Sequence, residues 1–401
     1  MNQTLRAWFL IVFGISALAI SAAHTRADGT MKIYLMAGQS NMEGQAYTWD
    51  FNLTVSTWNV PTLQYLHESP AYLDSLPDNI YTFKSGFSDA YFDPRNDVWA
   101  VQYDSASGTV REVRNIPDPT PNDKSTPIWP KGIQPLSPGF GPSATFGEYN
   151  ASMFGVELAM GHRLGDALDD PILLFKSNRG GTTLAVDWRP PSAVEARGGT
   201  IGVNYTNTIN QFKALLDELD VDLADNGVLD NFNGATGYEV VGFVWLQGWN
   251  EVTGSDVPQK IAEYADNLVD LVNDIRAADD RIPVDLPAII VESSDQNVQL
   301  NAQRQAAVDA LNLLHPGSAV FIETNGLVGV NYGGLNSFGE LFSDGWGYHF
   351  HARPENFLQM GWLIGEAILE NGYVGTVVPE PASFILLTIG GVWLTHRRNR
   401  R

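Results

Sequence analysis

The 401-residue sequence has no cysteine and few basic residues. The absence of cysteine excludes a thiol nucleophile, disulfide bonds and thiolate metal sites. Lysine and arginine together number 24 against 46 acidic residues, which gives a formal net charge of −22. Because so acidic a chain binds nucleic acid poorly and repels anionic surfaces, a neutral substrate fits it better. The sequence also shows no tandem repeat, which argues against a solenoid.

The stretch MKIYLMAGQSNMEG, residues 31–44, predicts an exposed serine. The residues before Gly38 are mostly apolar, which predicts a buried first strand that ends in a tight turn. Ser40 lies on this turn, and a helix is predicted to open after it. A strand, a sharp turn and a helix N-terminus together expose a nucleophile. The alternative is that Ser40 only caps the helix.

A serine nucleophile needs a base, and the seven histidines allow an elimination. Five of them lie in the terminal segments, in a polar stretch, in a helical pattern or at a helix end: His24, His396, His67, His162 and His315. His349 and His351 remain, with Asp344 just upstream. The order Ser, Asp, His is a known order for a catalytic triad. These three late residues could instead form part of a metal site, but no further ligands are visible, and we expect neither a metal nor a cofactor.

Both ends of the chain carry targeting patterns. Residues 1–27 combine a basic residue, an apolar run and small residues, which is typical of a secretory signal peptide. In the tail 377–401, Pro-Glu-Pro is followed by the apolar run 384–394 and an arginine cluster. This order resembles the PEP-CTERM sorting signal of Gram-negative bacteria, which implies processing by an exosortase and delivery to the cell surface or extracellular matrix. An ordinary C-terminal membrane anchor is the alternative, and either one predicts an exported protein that contacts the membrane only through its tail.

Between these ends, residues 28–376 are predicted to form one domain with a long insertion. From residue 46 to 152 aromatic, Asn, Asp, Pro and Gly residues dominate, so we expect a loop-rich insertion folded against the domain. Short β-rich pieces such as Val98–Tyr103 suggest hairpins. The aromatic side chains of the insertion either stack on sugar rings or pack its own small core.

After the insertion, predicted strands alternate with predicted helices. Strands are expected at residues 171–176, 238–246, 288–291 and 319–323. Helices are expected at residues 154–168, 205–219, 257–277, 298–314 and 354–369. Such alternation predicts an α/β fold with a parallel sheet and helices on both faces.

Polar clusters follow the first three of these strands, where a parallel sheet binds its ligands. Ser40 follows the first strand, a segment with Gly180 and Gly181 follows the second, and a segment with Asn250 follows the third. The glycine N–H groups and the Asn250 amide could donate to a developing oxyanion. An ordinary turn at the glycines, and an Asx turn or helix cap at Asn250, are the alternatives.

Taken together, these clusters resemble the sialate O-acetylesterase-like carbohydrate esterases of the SGNH (GDSL-like) hydrolases. The residues that carry the resemblance are GQSNMEG at 38–44, GGT at 180–182 with Trp188 downstream, QGWNE at 247–251, and a late Asp and His before a final amphipathic helix. The resemblance covers most of the body but not the insertion. It implies a flavodoxin-like three-layer α/β/α sandwich and the hydrolysis of acetyl esters on carbohydrates.

By position, the resemblance also implies roles for single residues. Ser40 matches the nucleophile, and its own N–H, the N–H of Gly180 or Gly181 and the amide of Asn250 match the oxyanion hole.

His351 matches the base, with Asp344 as the orienting acid and His349 as the alternative base. Gln39, Gln247 and Trp188 are expected to bind substrate. The family usually places the acid closer to the histidine, and Trp249 and Glu251 replace the acids of its more familiar third block.

The sequence therefore predicts a secreted serine esterase that removes O-acetyl groups from sialate or a polysaccharide through an acyl-enzyme. Two alternatives stay open. One is an SGNH esterase acting on other small esters, such as lipid or aryl esters. The other is a catalytically inactive carbohydrate-binding protein of the cell surface.

Overall fold

The computed structural model describes residues 29–48, 61–110, 132–141, 144–146, 149–151, 153–295, 297–324, 327 and 347–375. The predicted signal peptide 1–27, the predicted sorting tail 377–401 and the predicted acid Asp344 lie outside the described residues. Within the described ranges, no helix is both long enough and apolar enough to cross a membrane.

The strands, in chain order, are β1 (Thr30–Gly38), β2 (Ala46–Tyr47), β3 (Arg95–Asp104), β4 (Thr109–Val110), β5 (Gln134–Leu136), β6 (Ala144–Phe146), β7 (Tyr149–Ala151), β8 (Met153–Phe154), β9 (Ile172–Asn178), β10 (Gly237–Leu246), β11 (Ala288–Val291) and β12 (Ala319–Ile322). The α-helices are α1 (Ser40–Glu43), α2 (Leu63–Glu68), α3 (Pro70–Ser75), α4 (Glu157–Gly165), α5 (Pro191–Arg197), α6 (Val203–Asn226), α7 (Val257–Arg276), α8 (Val298–Leu314) and α9 (Pro354–Glu370). Short 3₁₀ turns lie at Thr82–Gly86, Asp89–Phe92, Asp230–Phe232, Trp249–Glu251 and Gly347–Ala352.

The central sheet is mostly parallel. Its strand order is β12-β11-β10-β1-β9-β3-β4, and the six strands from β12 to β3 run parallel. The short strands β4 and β5 pair with β3 in the antiparallel sense. The chain therefore has the α/β fold class that the alternating pattern predicts.

The two faces of the sheet bury two separate cores, because successive side chains of a strand point to opposite faces. On β1, Tyr34 and Met36 face a core that includes side chains of α4, α9 and the segment 61–92. Ile33 and Leu35 face the other core, which α6, α7 and α8 complete. Helices thus cover both faces, in three layers.

Strand β3 is the main difference from the sequence prediction. The segment Val98–Tyr103, for which hairpins or a loop-rich elaboration were expected, does lead into a hairpin with β4. It also forms part of a ten-residue strand that pairs in parallel with β9 from Val98 to Asp104. Val98 and Val101 are fully buried on opposite faces. The range predicted as an insertion therefore contributes a strand to the central sheet, because this apolar run can bury both of its faces there.

Helix α6 also runs further than its apolar period predicts. The predicted helix ends at Leu219, but the helix continues to Asn226 through mostly exposed residues, of which Leu223 still packs against the core. It stops at Gly227, which has φ +77° and supplies the left-handed conformation of a helix C-terminus.

Candidate active site

The carboxyl ends of β1, β9 and β10 meet at one edge of the sheet, and backbone hydrogen bonds join them. The N–H of Gln39 donates to the carbonyl of Leu246 at 3.2 Å. The N–H of Arg179 donates to the carbonyl of Gly38 at 3.2 Å. The segments that follow these three strands are therefore held side by side, as the sequence analysis expected.

Ser40 lies on the turn between β1 and α1. The turn needs glycine at position 38, because a Cβ on Gly38 would overlap the carbonyl of Leu246 on the neighbouring strand. Helix α1 begins at Ser40, whose side chain is partly exposed. The next residue, Asn41, is fully buried and donates from Nδ2 to the hydroxyls of Ser293 and Ser294 at 3.1 Å each. The strand, turn and helix around Ser40 are thus as predicted, and Asn41 anchors the helix to the end of β11.

The loop that carries Gly180 and Gly181 lies against Ser40 and against Asn250. A Cβ built on Gly180 would lie 3.4 Å from the Cβ of Ser40. A Cβ on Gly181 would lie 3.8 Å from Nδ2 of Asn250, and Gly181 has φ +77°, a left-handed conformation that favours glycine. The structure therefore brings the Gly180-Gly181 loop close to both the candidate nucleophile and the Asn250 amide.

Glu251 joins the two loops that carry these donors. Its Oε1 accepts hydrogen bonds from the N–H of Leu184 at 2.5 Å and from Nε2 of Gln247 at 2.7 Å. Glu251 is fully buried, and burial raises the pKa of its carboxyl to about 7, while the hydrogen bonds from Leu184 and Gln247 act in the opposite direction. The carboxyl thus bridges the loop after β9 and the loop after β10.

The three residues predicted to bind substrate lie beneath these loops. Gln39, Gln247 and Trp188 are at most 1% exposed. The indole of Trp188 packs edge-on against Trp245 with ring centroids 5.3 Å apart, and its N–H donates to Oγ1 of Thr182 at 3.0 Å. In this structure Trp188 supports the loop that bears Gly180 and Gly181, and direct contact with a sugar stays a prediction.

The two glutamines support the same loop through its backbone. The Nε2 of Gln247 donates to the carbonyl of Thr182 at 3.1 Å. In the amide orientation that satisfies both of its groups, Gln39 also donates to this carbonyl at 3.1 Å and accepts from the N–H of Trp249 at 3.0 Å. Both glutamines therefore tie the loop after β9 to the loop after β10.

His349 and His351 lie in the 3₁₀ turn Gly347–Ala352, which we call the histidine turn, and this turn contacts α1. Burial lowers the pKa of His349 to about 4. Phe350, His351 and Ala352 all have positive φ, between +49° and +61°. Three consecutive residues with side chains in this region are unusual and mark a strained backbone. Both candidate bases thus lie on one strained turn beside the helix that begins with Ser40.

A buried ion pair lies under α1. The Nζ of Lys176 on β9 contacts Oε2 of Glu157 at 2.6 Å, and both side chains are fully buried. Lys176 also donates to the carbonyl of Glu43, the last residue of α1, at 3.1 Å and to the carbonyl of Phe140 at 2.7 Å. The ammonium group therefore stabilises the end of the helix that carries Ser40.

No role in the site was predicted for Glu251, Asn41 or Lys176. Lys176 offered a signal, because a charged residue inside an otherwise apolar strand needs a buried partner. Asn41 and Glu251 stand next to predicted site residues, but their partners come from distant parts of the chain. In the part of the chain that the structure describes, no group of three acidic, histidine or cysteine side chains could hold a metal ion.

Neither a protein-family model nor a curated protein sequence matches this chain. Among solved structures, a protein from Arabidopsis thaliana matches with 15% identity and a TM-score of 0.44, covering 86% of this chain and 99% of its own. The protein NanS matches with 14% identity and a TM-score of 0.43, covering 86% and 98%. A carbohydrate acetylesterase from Xanthomonas citri matches with 14% identity and a TM-score of 0.39, covering 86% of this chain but 57% of its own. This chain is thus distantly similar to solved structures that include a carbohydrate acetylesterase.

Proposed function

We propose that this protein is a serine esterase that removes O-acetyl groups from carbohydrates. The observation that carries the proposal is the position of Ser40 on a strand-to-helix turn, with Gly180 against it and the Asn250 amide beside Gly181. Backbone and amide donors around a partly exposed serine are what acyl transfer requires. The proposal rests on this arrangement and on the sequence motifs, not on the distant structural similarities.

In the proposed reaction, Oγ of Ser40 attacks the carbonyl carbon of the acetyl ester while His351 accepts the hydroxyl proton. The resulting tetrahedral intermediate collapses, the bond to the sugar oxygen breaks, and His351 returns the proton to that oxygen. Water then attacks the acetyl-enzyme with His351 again as the base, which releases acetate and restores the Ser40 hydroxyl. Asp344 is proposed to orient the imidazole, and His349 is the alternative base on the same turn.

The developing oxyanion would be bound by the N–H groups of Ser40 and of Gly180 or Gly181, and by the Asn250 amide. In enzymes where single donors of this kind have been removed, each was worth about 3 kcal/mol of transition-state stabilisation. The backbone of Asn250 is held by Lys260, whose Nζ donates to the Asn250 main-chain carbonyl at 2.6 Å. Pre-positioned donors of this kind need no reorganisation during the reaction.

We also propose that the protein acts outside the cytoplasm. The support is the signal-peptide pattern of residues 1–27 and the Pro-Glu-Pro, apolar and arginine order of the tail. An exosortase-type peptidase would process this tail. Size analysis of the protein from its native host, with and without its last 25 residues, tests processing and surface delivery.

The proposal is tested by acetate release from acetylated xylan and from O-acetylated sialic acid, with p-nitrophenyl butyrate as a non-carbohydrate ester. A carbohydrate acetylesterase releases acetate from at least one glycan, and Ser40→Ala abolishes the release. Ser40-dependent cleavage of the butyrate alone would favour an esterase for other small esters. A folded protein that binds the glycans without cleaving any ester would instead be the inactive binding protein.

A further inference from the structure

We propose that the segment Leu63–Phe92 is a positioning element for the histidine turn, and that it acts through Tyr81 and Asn356. The inference rests on the proposed function, because the histidine turn carries the proposed base. It assigns a role to part of the range that the sequence identified only as a loop-rich insertion.

A two-step hydrogen-bond chain connects this segment to the turn. The hydroxyl of Tyr81 donates to Oδ1 of Asn356 at 2.7 Å. The Nδ2 of Asn356 in turn donates to the carbonyl of Phe350 at 2.9 Å. Tyr81 is 1% exposed and Asn356 is fully buried, so water does not compete for either bond. The acceptor carbonyl belongs to the peptide bond that links Phe350 to His351.

A second set of contacts fixes the start of α9, directly after the turn. The hydroxyl of Tyr72 donates to Oε1 of Glu355 at 2.8 Å and accepts from Nη1 of Arg353 at 3.0 Å. Arg353 also contacts Glu355 at 3.0 Å, and both side chains are buried. Further along α9, Oε1 of Gln359 accepts from the N–H of Phe83 at 3.1 Å. The same segment thus holds both the turn and the helix that follows it.

The backbone of the turn explains why it needs such support. Phe350, His351 and Ala352 hold left-handed φ values, and each such residue is less stable than in an ordinary conformation. A strained conformation persists only where its surroundings determine it. The determinants include the buried Phe350 ring, which packs edge-on against Phe357, and the Phe350 carbonyl, which accepts from Nδ2 of Asn356 at 2.9 Å and from the N–H of Arg353 at 3.4 Å. Weakening the shorter of these two bonds removes part of the support, so that the turn relaxes and the imidazole of His351 moves with it.

Tyr81→Phe tests this inference, because it removes the hydroxyl and leaves the ring. The chain offers a matched control in Tyr91, a fully buried tyrosine of the same segment whose hydroxyl has no hydrogen-bond partner among the described residues. Each variant would be assayed for Ser40-dependent acetate release, with kcat and KM measured separately. Amide hydrogen exchange over residues 347–353 would be measured in parallel.

We expect Tyr81→Phe to lower kcat about tenfold or more and to leave KM within twofold, since displacement of a catalytic group slows chemistry more than binding. Tyr91→Phe should change neither constant. Exchange in the histidine turn should become faster in Tyr81→Phe alone. If the Tyr81 hydroxyl had only a structural role, Tyr81→Phe would have a lower melting temperature but the same kcat as the Tyr91→Phe control. That result would overturn the inference.

The exchange measurement separates this inference from the proposed function. If the wild-type protein shows no Ser40-dependent activity, the proposed function fails, but the exchange comparison can still be made. Equal exchange of the histidine turn in the Tyr81→Phe and Tyr91→Phe proteins would then overturn the positioning role. As a second variant, Asn356→Leu removes the next bond of the chain, and adding Tyr81→Phe to it should produce little further loss of kcat.

Discussion

Gly180 lies directly against Ser40: a Cβ on Gly180 would be 3.4 Å from the Cβ of Ser40 and 3.0 Å from Oε2 of Glu43. A methyl group at position 180 would therefore reach ordinary van der Waals contact with Ser40 and would be tight only against the Glu43 carboxylate, which would have to shift slightly.

Gly180→Ala should accordingly lower kcat for acetate release several-fold, because the methyl group crowds the Glu43 carboxylate on the helix that begins with Ser40, beside a proposed oxyanion donor. The backbone of Gly180 has no positive φ, so the fold should tolerate the alanine. Kinetics and thermal unfolding of the same preparation check this expectation. Gly198→Ala is a useful control, since nothing lies within 4 Å of a Cβ at that position, although its φ of +75° costs some stability.

Glu251 should contribute to stability and to kcat through the oxygen that accepts the two hydrogen bonds. Glu251→Gln keeps an oxygen for the N–H of Leu184, whereas Glu251→Met fills a similar volume without one and leaves that buried N–H unpaired. We expect Glu251→Met to lose about 1–3 kcal/mol of stability together with a lower kcat. Denaturant unfolding and steady-state kinetics measure both. If both variants matched the wild type, the two loops would not depend on this bridge.

The carboxyl of Glu251 should make the stability of the protein depend on pH. Its pKa is about 7 when folded against 4.5 for the free group, because burial outweighs the hydrogen bonds from Leu184 and Gln247 and the nearby charges of Lys260 and Arg304. The folded state thus binds more protons between these pH values, so its stability falls as pH rises from 4.5 to above 7. Relative to wild type, Glu251→Gln should therefore gain stability between pH 5 and pH 8.

His162 should make the stability of the protein rise with pH, in contrast to Glu251. Its imidazole stacks on Tyr91 with ring centroids 4.2 Å apart, and burial, with the nearby charge of Arg95, lowers its pKa from 6.5 to about 4. The unfolded chain therefore binds more protons in this window, and stability is lost as pH falls from 6.5 through 4, by about 3 kcal/mol in total.

His162→Gln should flatten this part of the stability curve, as measured by urea unfolding at several pH values. An unchanged slope in the His162 variant would show that this imidazole is not held neutral in the folded protein.

Removing one partner of the Lys176–Glu157 ion pair should strongly reduce the stability of the protein. Both side chains are fully buried, so Lys176→Met leaves an uncompensated carboxylate and should lower the free energy of unfolding by about 3–5 kcal/mol. Adding Glu157→Gln removes that charge and should recover part of the loss. Denaturant unfolding of both variants makes the comparison, and a single variant as stable as the wild type would contradict it.

Much of the sheet could be predicted from the sequence, because buried parallel strands appear as continuous apolar runs. Strand β10 was predicted at residues 238–246 and spans Gly237–Leu246. The sheet position of β3 was not predicted, since a short apolar run in a polar segment does not identify its pairing partner. That partner, β9, begins at Ile172, far along the chain.

The candidate site, too, could be predicted only in part. Ser40, Gly180 and Asn250 could be grouped from the sequence because each follows a strand of one parallel sheet. The hydrogen-bond partners of Glu251 and Tyr81 could not be predicted from the sequence. Glu251 accepts from the backbone N–H of Leu184, and Tyr81 donates to Asn356, which lies 275 positions away. Contacts of this kind depend on packing, which local patterns do not contain.

Ser40 is proposed to be a nucleophile that the histidine turn activates. Peptide mass spectrometry after treatment with a fluorophosphonate would detect a reactive serine, and the His349→Ala and His351→Ala variants would be treated in parallel. We predict a covalent adduct on the peptide that contains Ser40, formed by wild type and by His349→Ala and lost in His351→Ala. A folded wild-type protein with no adduct at Ser40, or with its adduct on another residue, would contradict it.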